Sequence, residues 1–266
     1  MKRIILTICL IMAYGLITPG MARADFMYAI TFDEELLSID ISTGAGTLIG
    51  YLDSSMAGFG LGDRGTSLYT FDQMADRIVQ LDPATGHTLA TIDIGVGDIQ
   101  GEGSLAFRSD GIGFMTRSWG DTGQLWSFDI TVPSSNAITG LGGLTPSMDG
   151  ADFNGSDVLY GISQTTASLY TINQTTGATT LIGDTGFNSS AGVSGLTFTS
   201  DGTLYGVIDD ALYTINTATG AATLIGVIGF NDVSGLTAIA PVPVPAAVLL
   251  SILGLSAVGI KLRKFA

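Results

Sequence analysis

Residues 212–226 read LYTINTATGAATLIG and residues 169–183 read LYTINQTTGATTLIG, so twelve of fifteen positions match at an offset of 43. A third copy at 36–50, LLSIDISTGAGTLIG, matches the second at nine of fifteen positions and lies 133 residues before it, close to three such periods. In each copy a strand of alternating apolar and polar residues runs into a Thr-Gly turn, and a second strand ends in Leu-Ile-Gly. That is the pattern of a β-hairpin. Self-similarity at about 40 to 45 residues with four strands to the unit marks propeller blades rather than helical solenoids.

Thr-Gly turns fall at residues 43, 85, 176 and 219, and the long interval between the second and third leaves room for one blade whose turn has diverged to Thr-Val-Pro-Ser-Ser at 131–135. Five blades result. The first begins at its second strand, residues 27–32, with no innermost strand before it, while a spare innermost strand at 233–240 repeats the Val-Ser-Gly-Leu-Thr of 193–197. The expectation is therefore an all-β, five-bladed propeller over 25–240, with blade one closed by an innermost strand from the C-terminal side. The 37 glycines and only 13% charged residues suit short strands joined by tight turns, and 46% hydrophobic residues supply a core.

The two ends carry different signals. Residues 1–24 hold Lys2 and Arg3, an apolar run at 4–17, a Pro19-Gly20 break and Ala22-Arg23-Ala24, the arrangement of a cleaved secretory signal peptide. The single cysteine, Cys9, lies inside that run, so the mature chain has no thiol nucleophile, disulfide or thiolate metal site. At the other end, a Pro-Val-Pro-Val-Pro run is followed by an apolar stretch to Ile260 and then by Lys261, Arg263 and Lys264. Counted from Val242 the stretch is long enough for a membrane span, with its basic end on the cytoplasmic side.

That order of proline motif, apolar helix and basic end resembles the PEP-CTERM family of sorting tails, in its Val-Pro-x-Pro-Ala form, through Val242, Pro243, Pro245 and Ala246. The resemblance covers 241–266 and lacks the Glu of the Pro-Glu-Pro form. It implies a C-terminal transmembrane sorting tail read by an exosortase-type processing enzyme, and a protein exported to the cell envelope, cell surface or extracellular space in a bacterium that makes exopolysaccharide. An ordinary C-terminal membrane anchor is the alternative.

Between the ends the charge is one-sided. All 24 acidic residues lie in 25–240, against Arg64, Arg77, Arg108 and Arg117 and no lysine. Such a surface repels the phosphates of nucleic acids and anionic lipids, which excludes a nucleic-acid partner and leaves cations, polysaccharide or another surface protein.

Few residues suit catalysis. His87, the only histidine, follows the Thr85-Gly86 turn, and with no second histidine and no cysteine a zinc site or a Ser-His nucleophile system has nothing to be built from. Gly60, Gly62 and Gly65 fit a dinucleotide-binding pattern, but residues 67–71 after them read as a strand where that motif needs a helix. Asp152, Asn154 and Asp157 lack calcium-loop spacing and read as a turn.

Aligning the innermost strands on Leu61, Leu105, Ala151, Leu196 and Leu236 puts Phe59, Gly103, Asp149, Ser194 and Ser234 at one level, with Glu102 next to it and Asp98 and Asp232 in the loops above. These acids converge at one mouth of the ring with no lysine to neutralise them, and hard oxygen ligands suit Ca²⁺. The candidate ligand mouth is thus Asp98, Glu102, Asp149 and Asp232, with Glu102 and Asp149 as a weak Ca²⁺ or cation-bridged sugar site and Trp119 placed to stack on a pyranose ring. Two functions compete. The first is a non-enzymatic binding or structural module on the cell surface or in the matrix; the second is a propeller hydrolase, lactonase or lyase with Glu102 and Asp149 as acid and base. One misplaced histidine and no lysine favour the first.

Overall fold

A computed structural model describes residues 26–239 apart from 54–55, 57, 96–100, 120–121, 133–137 and 188–191. The signal segment 1–24 and the tail from 241, with Val242, Pro243, Pro245 and Ala246, lie outside the described residues. Among those described, no helix is long and apolar enough to cross a membrane.

The chain forms five four-stranded antiparallel sheets. Blade one holds β1 (Phe26–Thr31), β2 (Glu35–Ile39) and β3 (Gly46–Tyr51), and blade two holds β4 (Gly58–Arg64), β5 (Ser67–Asp72), β6 (Arg77–Leu81) and β7 (Thr88–Asp93). Blade three is β8 (Leu105–Phe107), β9 (Gly113–Trp119), β10 (Thr122–Phe128) and β11 (Ile138–Leu144), and blade four is β12 (Gly150–Phe153), β13 (Leu159–Ser163), β14 (Ser168–Ile172) and β15 (Thr179–Asp184). Blade five is β16 (Val193–Phe198), β17 (Leu204–Ile208), β18 (Ala211–Ile215) and β19 (Ala222–Val227); β20 (Val233–Ile239) then joins blade one beside β1. Its register runs from Phe26 opposite Ile239 to Thr31 opposite Val233. The innermost strands touch in a closed circle, β20 to β4 to β8 to β12 to β16 and back to β20. This is the five-bladed propeller that the repeat requires, closed by its last strand.

The hairpin word has a local cause in each copy. Asp40, Asp82, Asn173 and Asn216 each end a strand and turn the chain twice: the backbone carbonyl accepts from the amide of the turn glycine, and the side-chain Oδ1 accepts from the amide two residues on. The glycines Gly44, Gly86, Gly177 and Gly220 all have φ between 71° and 82°, a region costly for any residue with a Cβ.

Packing follows from the pleat. The middle strands of the blades bury side chains on both faces, as in β5 and β17, and the outermost strands β3, β15 and β19 are exposed at two successive positions, which include Leu48, Leu181 and Leu224. Apolar side chains collect in five separate clusters, one in each joint between neighbouring blades. Each buried leucine or isoleucine there contributes about 1.5–3 kcal/mol, so the ring is held at its joints.

In blade three the middle strands extend to Trp119 and Thr122, which pair with each other, so Trp119 ends a strand. One expectation from the sequence is corrected. In blade two the bulge falls at Gly60, with φ 60°, so Phe59 pairs with Phe71 and turns fully into the core between blades two and three, away from the mouth.

Candidate functional site

The innermost strands meet at the waist of the ring through glycines. A Cβ on Gly150 would collide with the backbone of Gly195, one on Gly195 with Leu236, one on Gly235 with Leu61, and one on Gly60 with Ser104 and Leu105. This close approach divides the axis into two mouths. The upper one lies among the loops that lead into the innermost strands; the lower one lies among the turns that follow them.

At the upper mouth the structure brings together Glu102, Gly103, Asp149, Ser194 and Ser234, with Phe32 beside them. Asp149 Oδ2 accepts from the Gln164 amide at 2.7 Å. Burial pushes the Asp149 carboxyl above its ordinary pKa, and hydrogen bonds from Gln164 and Ser118 offset part of that rise. Glu102 is held by β-bridge pairing with Ser118, and its carboxyl is raised first by burial and then by the charge of Asp149. The buried Ser234 hydroxyl points to the carbonyls of Ile30 and Gly58, a structural use and not a nucleophile's. The cleft between these residues has a volume of about 10 Å³, the size of one water molecule.

Of the other residues singled out at this face, Asp232 does not line the cleft. Asp232 is exposed on the turn before β20, at φ 56°; its amide donates to Asp210 Oδ2 at 3.2 Å and its carbonyl accepts from Phe32 at 2.9 Å. Asp98 and the side chain of Trp119 lie outside what the structure describes. Glu102 and Asp149 supply two carboxylates where Ca²⁺ takes six to eight oxygens, and among the described residues no group of three or more His, Cys, Asp or Glu is arranged to hold a metal. His87 serves a joint: its Nδ1 is 2.8 Å from Asp53 Oδ1, and Thr88 donates to the same carboxylate. The Thr88 hydrogen bonds, then that of His87, hold Asp53 at about 2.

The roomier depression is at the lower mouth, at about 430 Å³, within the range of small-molecule sites. It is built from register. Read two residues beyond the aligned Leu61, Leu105, Ala151, Leu196 and Leu236, the innermost strands present Asp63, Phe107, Phe153, Phe198 and Ala238, and all five line this pocket. The same alignment could have found it, carried past the level of Asp149.

One residue earlier in β12 stands Asp152. Its Oδ2 accepts from the Phe198 amide at 2.7 Å and from Thr197 Oγ1 at 3.1 Å. Thr197 Oγ1 in turn accepts from the Ala238 amide, and Thr237 Oγ1 donates to Asp63. A polar belt thus links blades four, five, one and two around the axis. Burial, offset by the Phe198 amide and reinforced by the charge of Asp63, raises the Asp152 carboxyl to about 7. On the rim, Asp110 grips Arg108 at both carboxylate oxygens while Gln174 takes a third nitrogen, and Asp157 accepts from the amide and hydroxyl of Ser109, latching blade three to blade four. The segment carrying Asn154 and Asp157 is the turn that the sequence suggests: Asn154 Oδ1 accepts from Ser156 and Val158.

No protein-family model matches the chain, and no curated protein is significantly similar to it. Solved structures are similar in fold. One, described as "The de novo evolutionary emergence of a symmetrical protein is shaped by folding constraints", superposes with a TM-score of 0.56 at 18% identity, covering 82% of this chain and 100% of that one. Another, described as "Crystal structure of Nidogen/Laminin Complex", gives 0.55 at 11% identity, covering 80% and 97%. At such identities the likeness extends to the fold alone. The protein is a repeat β-propeller with two chemically distinct mouths, an architecture compatible with a binding module.

Proposed function

We propose that this chain is an exported β-propeller of the cell surface or extracellular matrix, a binding module linked to exopolysaccharide and first held at the membrane by its tail. The observation that supports this reading most is where the chain enters and leaves the ring. Phe26 pairs with Ile239 at the lower mouth, opposite the Glu102–Asp149 mouth. A tethered ring would therefore present that mouth outward, to polysaccharide or a surface protein, with a cation bridging acidic sugars to its carboxylates. The tail's partner would be an exosortase-type enzyme.

The enzymatic reading gains one point from the charge of Asp149 acting on Glu102, since neighbouring carboxylates with raised pKa values also mark acid–base sites. A cleft the size of one water leaves a glycosidic or ester group no place between them. The test is calorimetry on the full chain with Ca²⁺ and an acidic polysaccharide, repeated on Asp149→Asn and Glu102→Gln. Saccharide binding that needs the cation and weakens in both variants is expected. Binding that is absent, or unchanged in both, would leave these acids as surface charge.

A further inference from the structure

The lower mouth is lined by charges of both signs and by aromatic rings. Arg64 and Arg108 stand on its wall together with Asp63 and Asp152, and Phe107, Phe153 and Phe198 reach it from equivalent ends of β8, β12 and β16. Each ring is fixed by a second one: Tyr69 lies 5.1 Å from Phe107, Phe114 lies 5.1 Å from Phe153, and Tyr160 lies 5.2 Å from Phe198. Phe107 and Phe198 are only half-buried, so part of each ring faces the mouth.

The polar groups are held in place as firmly as the rings. Arg108 donates from Nε and Nη2 to Asp110 and from Nη1 to Gln174, and its guanidinium carbon lies 5.2 Å from the centre of the Phe114 ring. These bonds leave unused the second N–H of each terminal nitrogen. Asp152 is anchored through Oδ2 by the Phe198 amide and Thr197, while its Oδ1 accepts from the Phe153 amide and has a lone pair for one more donor. With its carboxyl raised to about 7 by burial, Asp152 is present near neutral pH in both its accepting and its donating form.

This lining selects against net charge in a ligand. A small anion meets the carboxylates, and a small cation meets the guanidinium groups, so an ion of either sign loses at one wall what it gains at the other. A hydroxyl escapes that conflict. It donates to a carboxylate, accepts from a guanidinium, and answers Asp152 in either protonation state. A pyranose carries several hydroxyls on its edge and a patch of C–H groups on its face, and burying that patch against aromatic rings removes apolar surface from water. At about 430 Å³ the depression has room for such a ring. We propose that the lower mouth binds a neutral hexopyranose, its hydroxyls hydrogen-bonded to Asp152 and Arg108 and its C–H face against Phe107 and Phe198. This site goes beyond the reading of the Glu102–Asp149 mouth and does not rest on it: it needs neither a bridging cation nor an acidic sugar.

The experiment is calorimetry on the full chain at pH 7 with a chelator present. The probes are methyl glucopyranoside and methyl galactopyranoside, with the 6-amino-6-deoxy and the uronate forms of each as charged counterparts. At least one neutral glycoside should bind, and its two charged forms should each bind about threefold or more weakly. Phe198→Leu and Asp152→Asn should each lose about threefold or more, through the missing ring contact and the missing charged acceptor. Asp149→Asn, at the other mouth, should bind as the unaltered chain does, which separates this site from the cation-dependent one. No binding of either neutral glycoside at about 10 mM, tighter binding of a charged form, or undiminished binding by folded Phe198→Leu or Asp152→Asn would overturn the proposal. If a variant fails to fold, the comparison of neutral and charged glycosides on the unaltered chain decides it alone.

Discussion

Where blade four meets blade five, Gly183 of β15 lies directly under the Thr219 carbonyl of the next blade's turn, and a Cβ there would overlap that oxygen. Where blade two meets blade three, the same strand position is Ile92, which pairs with Ile78 as Gly50 pairs with Leu36, and packs with Phe107 and Ile130 against an aromatic core. The first kind of joint recurs as Gly50 under Thr85, Gly226 under Thr43 and Gly142 under Thr176. The Leu-Ile-Gly and Thr-Gly words of the repeat are therefore the two halves of a joint: each belongs to one blade but is needed by the next. Where an apolar side chain takes over that contact, the word changes to Ala-Thr-Ile at 90–92 in β7.

The harshest way to break this arrangement is to remove the strand that belongs to two joints at once. β20 touches β16 on one side and β4 on the other, besides pairing with β1. Deleting 233–266 should cost several kcal/mol, a large share of the ~5–15 kcal/mol of a typical domain. Deleting only 241–266 should leave the melting temperature where it was, since β20 ends at Ile239. Equal melting temperatures for the two truncations would mean that β20 does not close the ring.

Single glycines test the two kinds of joint against each other. Gly183→Ala and Gly226→Ala each force a methyl group into a backbone carbonyl of the neighbouring blade, and overpacking of that kind costs about 1–3 kcal/mol. Gly143→Ala in β11 is the control: its Cβ would come no closer than 3.8 Å to the Gly123 carbonyl, so stability should move by less than about 0.5 kcal/mol. Thermal or urea melts of the three variants decide the matter, and a Gly143→Ala variant as damaged as the other two would remove the special status of the Leu-Ile-Gly position.

How far the sequence could be read depends on what repeats. The hairpin word carries its own turn chemistry in Asp40, Asp82, Asn173 and Asn216, so blade number, strand order and the closing strand were legible from it. The convergence of Gly103, Asp149, Ser194 and Ser234 was legible for the same reason, because equal register means equal height on the axis. Phe59 escaped because a bulge moved by one residue, to Gly60, reverses the direction of a side chain without leaving a mark in the hydrophobic pattern. The lower mouth escaped because Phe107, Phe153 and Phe198 read as ordinary core residues at strand ends. Only the closed circle shows that three such ends meet. Asp152 likewise reads as one half of a turn motif, and its burial depends on β16, more than forty residues away.

Asp152 also sharpens the contrast between blade three and the others. At its register position blades five and one have Thr197 and Thr237, which extend the polar belt, whereas blade three has Ala106, buried in an apolar cluster. The belt carries a cost that the apolar joint does not. The Asp152 carboxyl sits near 7 in the folded chain, above the ~3.9 of an unfolded aspartate. A carboxyl raised by folding favours the protonated folded state, so its contribution is fully present below about pH 4 and is lost as the pH rises through 7. A tenfold change in proton affinity is equivalent to ~1.4 kcal/mol, and discounting for partial access of water leaves about 1–2 kcal/mol at pH 8. Asp152→Asn removes the ionisation while keeping an oxygen for the Phe198 amide. It should therefore raise the melting temperature at pH 8, match the unaltered chain near pH 4, and flatten the profile between them. Ala106→Ser, at the same height in blade three, keeps Asp152 and should give a profile parallel to that of the unaltered chain. An Asp152→Asn profile parallel to that of the unaltered chain from pH 4 to 8 would place the burden of the belt on another group, with Asp63 the next to substitute.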